Sequence, residues 1–99
     1  MRRGADQQEA AEGPAALAEL PSYVDELSAA LERAGAWREL ARRRRCGVLV
    51  ATFAAAPRPA RALLLHLRDF DDITSKSLAL ILDDMDQPEA ASIVKRYIY

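Results

Sequence analysis

Hydrophobic positions recur along this chain at helical spacing and nowhere alternate in the period of two that marks a half-buried strand. Val24, Leu27, Leu31 and Ala34 fall on one side of a first helix that opens near Pro21-Ser22 and stops at Gly35. Ser22, three residues before Asp25, has the spacing of a capping box, in which side chains satisfy backbone N–H groups that lack an intrahelical partner. Trp37, Leu40, Ala41 and Arg44 share a side of a second helix, and Arg38, Arg42 and Arg45 share another. The apolar run VLVATFAAA after Gly47 has no clear period. A strand there has no partner elsewhere in the chain, so a short, buried third helix is expected. Pro57 and Pro59 mark the entry to a fourth helix, because proline in the first turn removes only an N–H that is unpaired anyway. That helix runs to about Phe70 with Ala60, Leu63, Leu64 and Leu67 inward. DFDDIT is a loop, and Thr74 or Ser75 caps a fifth helix with the stripe Leu78, Ile81, Leu82 and Met85. Asp86 and Glu89, in capping-box spacing around Pro88, restart a sixth helix that turns Ala90, Ile93, Val94 and Tyr97 inward.

Six short amphipathic helices can bury their apolar stripes only against one another. The expected fold class is therefore all-α, a compact six-helix antiparallel bundle over residues 20–99. Residues 1–19, polar and small with Gly4, Gly13 and Pro14, are expected to form a flexible lead-in, with AALAEL at its end able to form a helical turn. At 99 residues, 51% of them apolar, the chain supports one core and not two. Alanine and leucine carry most of the apolar load, and both favour helices.

The net charge of −1 conceals a strong pattern. Residues 1–32 carry net −5, residues 33–68 net +8, and residues 69–99 net −4. Such a chain can associate with copies of itself through unlike patches. The arginine run Arg42–Arg45 lies at the end of the second helix, where basic side chains suit the negative end of the helix dipole. A solvated helix face, a nucleic-acid patch and a protein-docking surface all fit it. Four or five arginines could neutralise several phosphates, but no aromatic stacking set accompanies them and the flanks are acidic.

Catalytic and cofactor chemistry finds little support. His66 sits on a leucine-rich helix with no nearby nucleophile, and suits the edge of a core. Cys46 is single, so no internal disulfide is possible. It reads as a small buried apolar residue, with reactivity open only if its arginine neighbours lower its pKa. The four glycines are isolated and form no phosphate loop. Asp83, Asp84 and Asp86 lack the spacing and the glycine of a calcium loop. No cofactor, metal or small-molecule substrate is expected. The longest weakly polar run, Cys46 to Pro57, falls well short of the roughly 20 residues of a spanning helix. The basic start at Arg2 and Arg3 has no apolar stretch behind it, so it is no secretory signal.

Taken in order, WRELA, TFAAAPRPARALLLHLRDF and SLALILDDMDQPEAASIV resemble a death domain, most of all those of netrin receptors and ankyrins. The matching features are Trp37, Leu40 and Ala41 opening the second helix and Phe53-Ala54 ending the third. Leu63, Leu64 and Leu67 match on the fourth helix, and Leu78-Ala79, Leu82, Asp83-Asp84 and Met85 on the fifth. Together they cover about residues 20–98. The chain departs from the family in having Arg42–Arg45 and Cys46-Gly47 where many members have a leucine-glycine turn. The resemblance implies a non-catalytic adaptor module in apoptotic or inflammatory signalling. Its setting would be cytoplasmic, on its own or as the intracellular part of a larger receptor or scaffold. Its partners would be other death-domain proteins, itself included, with no membrane insertion. It implies a basic docking face of Arg38, Arg42, Arg43 and Arg45 meeting an acidic face formed by Asp69, Asp71, Asp72, Asp83, Asp84 and Asp86. The rivals are a small helical nucleic-acid binder using the same arginines, and another helical binding module such as a secretion chaperone or transcriptional adaptor.

Overall fold

A computed structural model describes residues 17–99, and residues 1–16 of the lead-in expected over residues 1–19 lie outside them. The described residues form an all-helical bundle without strands: α1 (Leu20–Ala34), α2 (Trp37–Arg43), a 3₁₀ turn (Gly47–Leu49), α3 (Val50–Ala54), α4 (Pro59–Phe70), α5 (Ser75–Asp84) and α6 (Pro88–Ile98). The main interfaces join α5 to α6, α1 to α4 and α1 to α6. The short α2 and α3 rest on α4.

The helical stripes bury as their spacing predicts. Leu27 and Leu31 of α1, Ala60, Leu63, Leu64 and Leu67 of α4, Leu78 and Leu82 of α5 and Val94 of α6 are fully enclosed. Burying each leucine contributes about 1.5–3 kcal/mol. The packed unit also takes in Leu17, which is fully buried three residues before the expected boundary at 20. Two stripe-end residues miss the core: Ala34 is exposed, and Tyr97 is partly exposed with its ring tilted against Tyr23 at 5.6 Å.

Several caps differ from expectation. Ser22 does not cap α1, which already begins at Leu20 with Glu19 in the capping position and Pro21 in its first turn. Leu20 is fully buried, so the chain is drawn into the core before Ser22 is reached. The Glu19 side chain instead accepts a hydrogen bond from Ser75 Oγ at 2.6 Å. Because that bond uses the serine proton, the Tyr23 hydroxyl, 2.6 Å away, donates to Ser75. Thr74 caps α5 as expected, accepting from the Ser77 N–H at 3.1 Å. Asp86 does not cap α6; Gln87 occupies that position. The α5–α6 link is so short that Asp86 is used to close α5.

Three helices end in the same way. In each, one N–H reaches back five residues and the preceding N–H reaches back three, around a left-handed residue. At α1 these bonds run from Ala36 to Leu31 and from Gly35 to Glu32, with Gly35 at φ 66°. At α2 they run from Cys46 to Ala41 and Arg45 to Arg42, with Arg45 at φ 63°. At α5 they run from Gln87 to Leu82 and Asp86 to Asp83, with Asp86 at φ 59°. Glycine adopts this conformation without steric cost; an arginine does so at about 1–2 kcal/mol.

The run VLVATFAAA corrects an expectation. It is helical, but most of it is not core. Phe53 alone is buried, while Val48 is 91% exposed and Ala51, Ala54 and Ala55 face solvent. A 3₁₀ turn followed by a five-residue helix presents only one turn to α4.

Candidate protein-docking surface

Leu40 and Ala41 anchor α2 in the core, and Trp37 is nearly as deeply buried. That anchoring turns the arginine run outward, and each member finds a different environment. The Arg38 guanidinium lies 4.8 Å from the centroid of the Trp37 ring, a cation–π contact at the surface. Arg42 pairs with Glu39 one turn back. Arg43 pairs with the same Glu39, at 3.0 Å, and reaches across to Asp84 of α5. Hydrogen bonds from Arg42 and Arg43 hold the Glu39 carboxyl below the usual carboxylate range.

Arg44 is the structural member of the run. Its Nε and Nη2 donate to the two oxygens of Asp71 at 3.2 and 2.6 Å, a two-pronged bond. Asp71 Oδ1 also accepts from the Ile73 N–H at 2.9 Å, so one carboxylate ties α2 to the chain leaving α4. Burial alone would push the Asp71 pKa up. The Arg44 and Ile73 hydrogen bonds and the guanidinium charge outweigh it and hold the pKa below the usual range. Arg45 makes no ion pair among the described residues. Together with Arg43, Arg44, Asp69, Phe70, Asp71 and Asp72 it lines an open cleft of about 600 Å³.

The carboxylates expected to form a separate acidic face are therefore partly interleaved with the arginines of the same molecule. Asp71 and Asp84 bind Arg44 and Arg43. Asp72 comes within only 3.8 Å of Arg44 and is otherwise fully exposed. Asp69 pairs with Arg68 at 3.0 Å, and Asp83 with Lys95 of α6 at 2.7 Å. Asp86, in its left-handed turn, makes no ion pair among the described residues. Over residues 17–99 the formal charges cancel. Cationic side chains without an ion pair among the described residues are Arg38, Arg45 and Lys76.

Sequence reasoning missed the exposed apolar side chains that accompany this charge. Phe70 is 78% exposed at the end of α4, Val48 stands out from the 3₁₀ turn, and Leu80 projects from α5. Spacing signalled Leu80, which lies opposite the inward stripe of α5, but not Phe70, which follows Leu63 by seven residues and Leu67 by three and is exposed at the last position of α4. His66 lies at the core edge, between Phe53 at 5.6 Å and Phe70 at 5.0 Å. Cys46 is buried, and its thiol donates to the Arg44 carbonyl at 3.4 Å. Burial and the nearby Asp71 charge push its pKa up, against the opposing pull of Arg44, so the arginine run does not activate it. Among the described residues no group of His, Cys, Asp and Glu is placed to hold a metal ion, and no helix is long and apolar enough to cross a membrane.

No protein-family model, curated protein or solved structure matches the chain. The resemblance to death domains stands on the residue pattern alone.

Proposed function

We propose that this chain is a non-catalytic protein-interaction module of the death-domain kind. It would dock onto other such modules in intracellular signalling through the outer face of α2. The observation that carries this is the division of labour within the arginine run. Arg43 and Arg44 pair with carboxylates of α5 and of the chain after α4, while Arg38 and Arg42 stand outward on the same helix. Arg42 keeps its availability despite Glu39, because an exposed ion pair within one helix is worth only about 0.3–0.5 kcal/mol. The helix order, with a short second and third helix and a leucine-rich fourth, supports the same reading. The partner surface would be acidic. The interleaved carboxylates and the cancelling charge of residues 17–99 favour this over nucleic-acid binding, which rests on uncompensated positive charge.

The test is to titrate the chain against purified death domains that carry an exposed acidic face, at low and high salt. Saturable binding is expected, weakened by salt and by Arg38→Glu with Arg42→Glu in a variant whose circular dichroism and melting are unchanged. Binding unaffected by the double reversal would remove the α2 face from the interaction. Tight duplex binding, lost in the same variant and falling steeply with salt, would overturn the reading in favour of a nucleic-acid partner.

A further inference from the structure

The turn between α2 and α3 sets an apolar strip in water beside arginines. From Cys46 to Pro57 the chain carries no charged residue. Within that run Val48, Ala51, Thr52 and Ala55 recur at helical spacing, and all four are exposed, Val48 at 91%. The other side of the segment holds it to the body through buried Phe53, with Leu49 and Val50 packed against the core. Arg45 lies three residues before Val48, in the left-handed position that α1 gives to Gly35, and makes no ion pair among the described residues. Arg42 runs beside the same turn: a Cβ placed on Gly47 would lie 3.8 Å from its Cγ. Among the described residues Arg42 pairs with Glu39 alone, in an exposed contact within one helix. Arg38 stands one turn behind Arg42 on the outward side of α2.

A partner that covers this turn must accept both the guanidiniums and the apolar strip. A nucleic-acid duplex would take the arginines and leave Val48 in water. A folded protein would need a hollow cut to one projecting valine among small side chains. An anionic bilayer offers negative headgroups and, directly beneath them, acyl chains that conform to any outline. Arginine stems lie along such apolar surface while their charged ends stay at headgroup level. We propose that the turn between α2 and α3 is a shallow membrane-surface anchor, with Val48 entering an anionic leaflet and Arg42 and Arg45 holding its headgroups. The contact is reversible, because a weak apolar anchor and a basic patch are each insufficient alone. The formal charges of residues 17–99 cancel, so the arginines need Val48 to keep the chain at the surface. The chain lies on the bilayer and does not span it: among the described residues no helix is long and apolar enough to cross. The anchor shares Arg42 with the α2 docking face but does not depend on the death-domain reading.

The experiment is co-sedimentation of the full chain with phosphatidylcholine vesicles, pure or containing about one-third phosphatidylserine, at low and high salt. Val48→Ser, Arg45→Gly and Val48→Trp are compared with wild type, with folding checked by circular dichroism and melting. Val48 is exposed and glycine suits the left-handed backbone at position 45, so all three variants are expected to fold. Wild type should bind the anionic vesicles alone, and less at high salt. Val48→Ser should weaken binding by about tenfold through lost apolar contact. Arg45→Gly should weaken it by about fivefold through the loss of one cation near the surface. The emission of Val48→Trp should move to shorter wavelength on the vesicles; Trp37 is already buried and adds little to that shift. Four results would overturn the proposal: no binding to anionic vesicles, equal binding to neutral ones, a Val48→Ser variant that binds as wild type does, or an unshifted Val48→Trp emission. Retention of a DNA duplex equally by wild type and Val48→Ser, with vesicles left unbound, would also overturn it and assign the arginines to nucleic acid. The death-domain titration contains no lipid and turns on Arg38 and Arg42, so Val48→Ser and Arg45→Gly should leave it unchanged. Either reading can then fail without the other.

Discussion

Leu64 and Val48 are both branched aliphatic side chains in apolar stretches of sequence, and their fates are opposite. Leu64 is fully enclosed on the inner side of α4, while Val48 is almost wholly in water. The difference follows from element length. Helices α1, α4, α5 and α6 run 10 to 15 residues, long enough to present two or more turns of apolar side chains to a neighbour. The segment from α2 to α3 offers helices of seven and five residues around a 3₁₀ turn. It holds to the body through Trp37, Leu40, Ala41 and Phe53, and through the ion pairs of Arg43 and Arg44. The body is secured by area and the edge by a few anchors and charge.

That contrast can be tested from its strongest point downward. Leu64→Ala should cost about 2–5 kcal/mol of unfolding free energy in urea melts, as expected for a cavity in a closed core. Phe53→Ala removes the one deep anchor of α3 and should cost about 3 kcal/mol, the lower bound for a buried aromatic. An equal or larger loss than Leu64→Ala would mean that the edge is as tightly packed as the body. Asp71→Asn should cost about 1.5 kcal/mol, the scale of a hydrogen bond to a charged group. Its pH signature is distinct. The Asp71 pKa is lowered on folding, so its contribution is fully present above the ordinary aspartate value of about 3.9 and fades as pH falls through the lower folded value. The stability difference between wild type and Asp71→Asn should therefore shrink in acid and be steady at neutral pH.

Arg45→Gly should stabilise the fold by about 1 kcal/mol in urea melts by relieving the left-handed arginine. Val48→Ser should change stability by less than about 0.5 kcal/mol. A larger loss would show that the 3₁₀ turn contributes more than its exposure indicates.

The parts of the fold legible in the sequence were those decided within a single helix. The stripes of α4 and α5 could be read because period alone places Leu63, Leu67, Leu78 and Leu82 on one side. The outward position of Arg38 and Arg42 and the inward lean of Arg44 followed from the same geometry. What escaped was decided between elements. Ser22 and Asp86 carry capping chemistry, but the start of α1 is fixed by the burial of Leu20, and the place of Asp86 by the closure of α5. The exposure of Val48 was hidden because an apolar run without a period does not say which side has a neighbour. The pairing of Arg43 with Asp84 and of Arg44 with Asp71 spans 41 and 27 positions, beyond the reach of local spacing.

The start of α4 carries a consequence for how the molecule opens. Its capping position, Arg58, supplies no side-chain cap; Glu32 of α1 accepts the Ala60 N–H at 3.1 Å and lies 3.5 Å from Arg58 Nε. The first turn of α4 is thus completed by a residue 28 positions earlier. An amide in the first turn of a helix ordinarily exchanges its hydrogen with solvent through local fraying. Here the Ala60 amide is held by a side chain of α1, across the interface between α1 and α4. Its exchange rate should match those of the deepest amides of the bundle, making Ala60 a single-residue reporter of separation between the two helices.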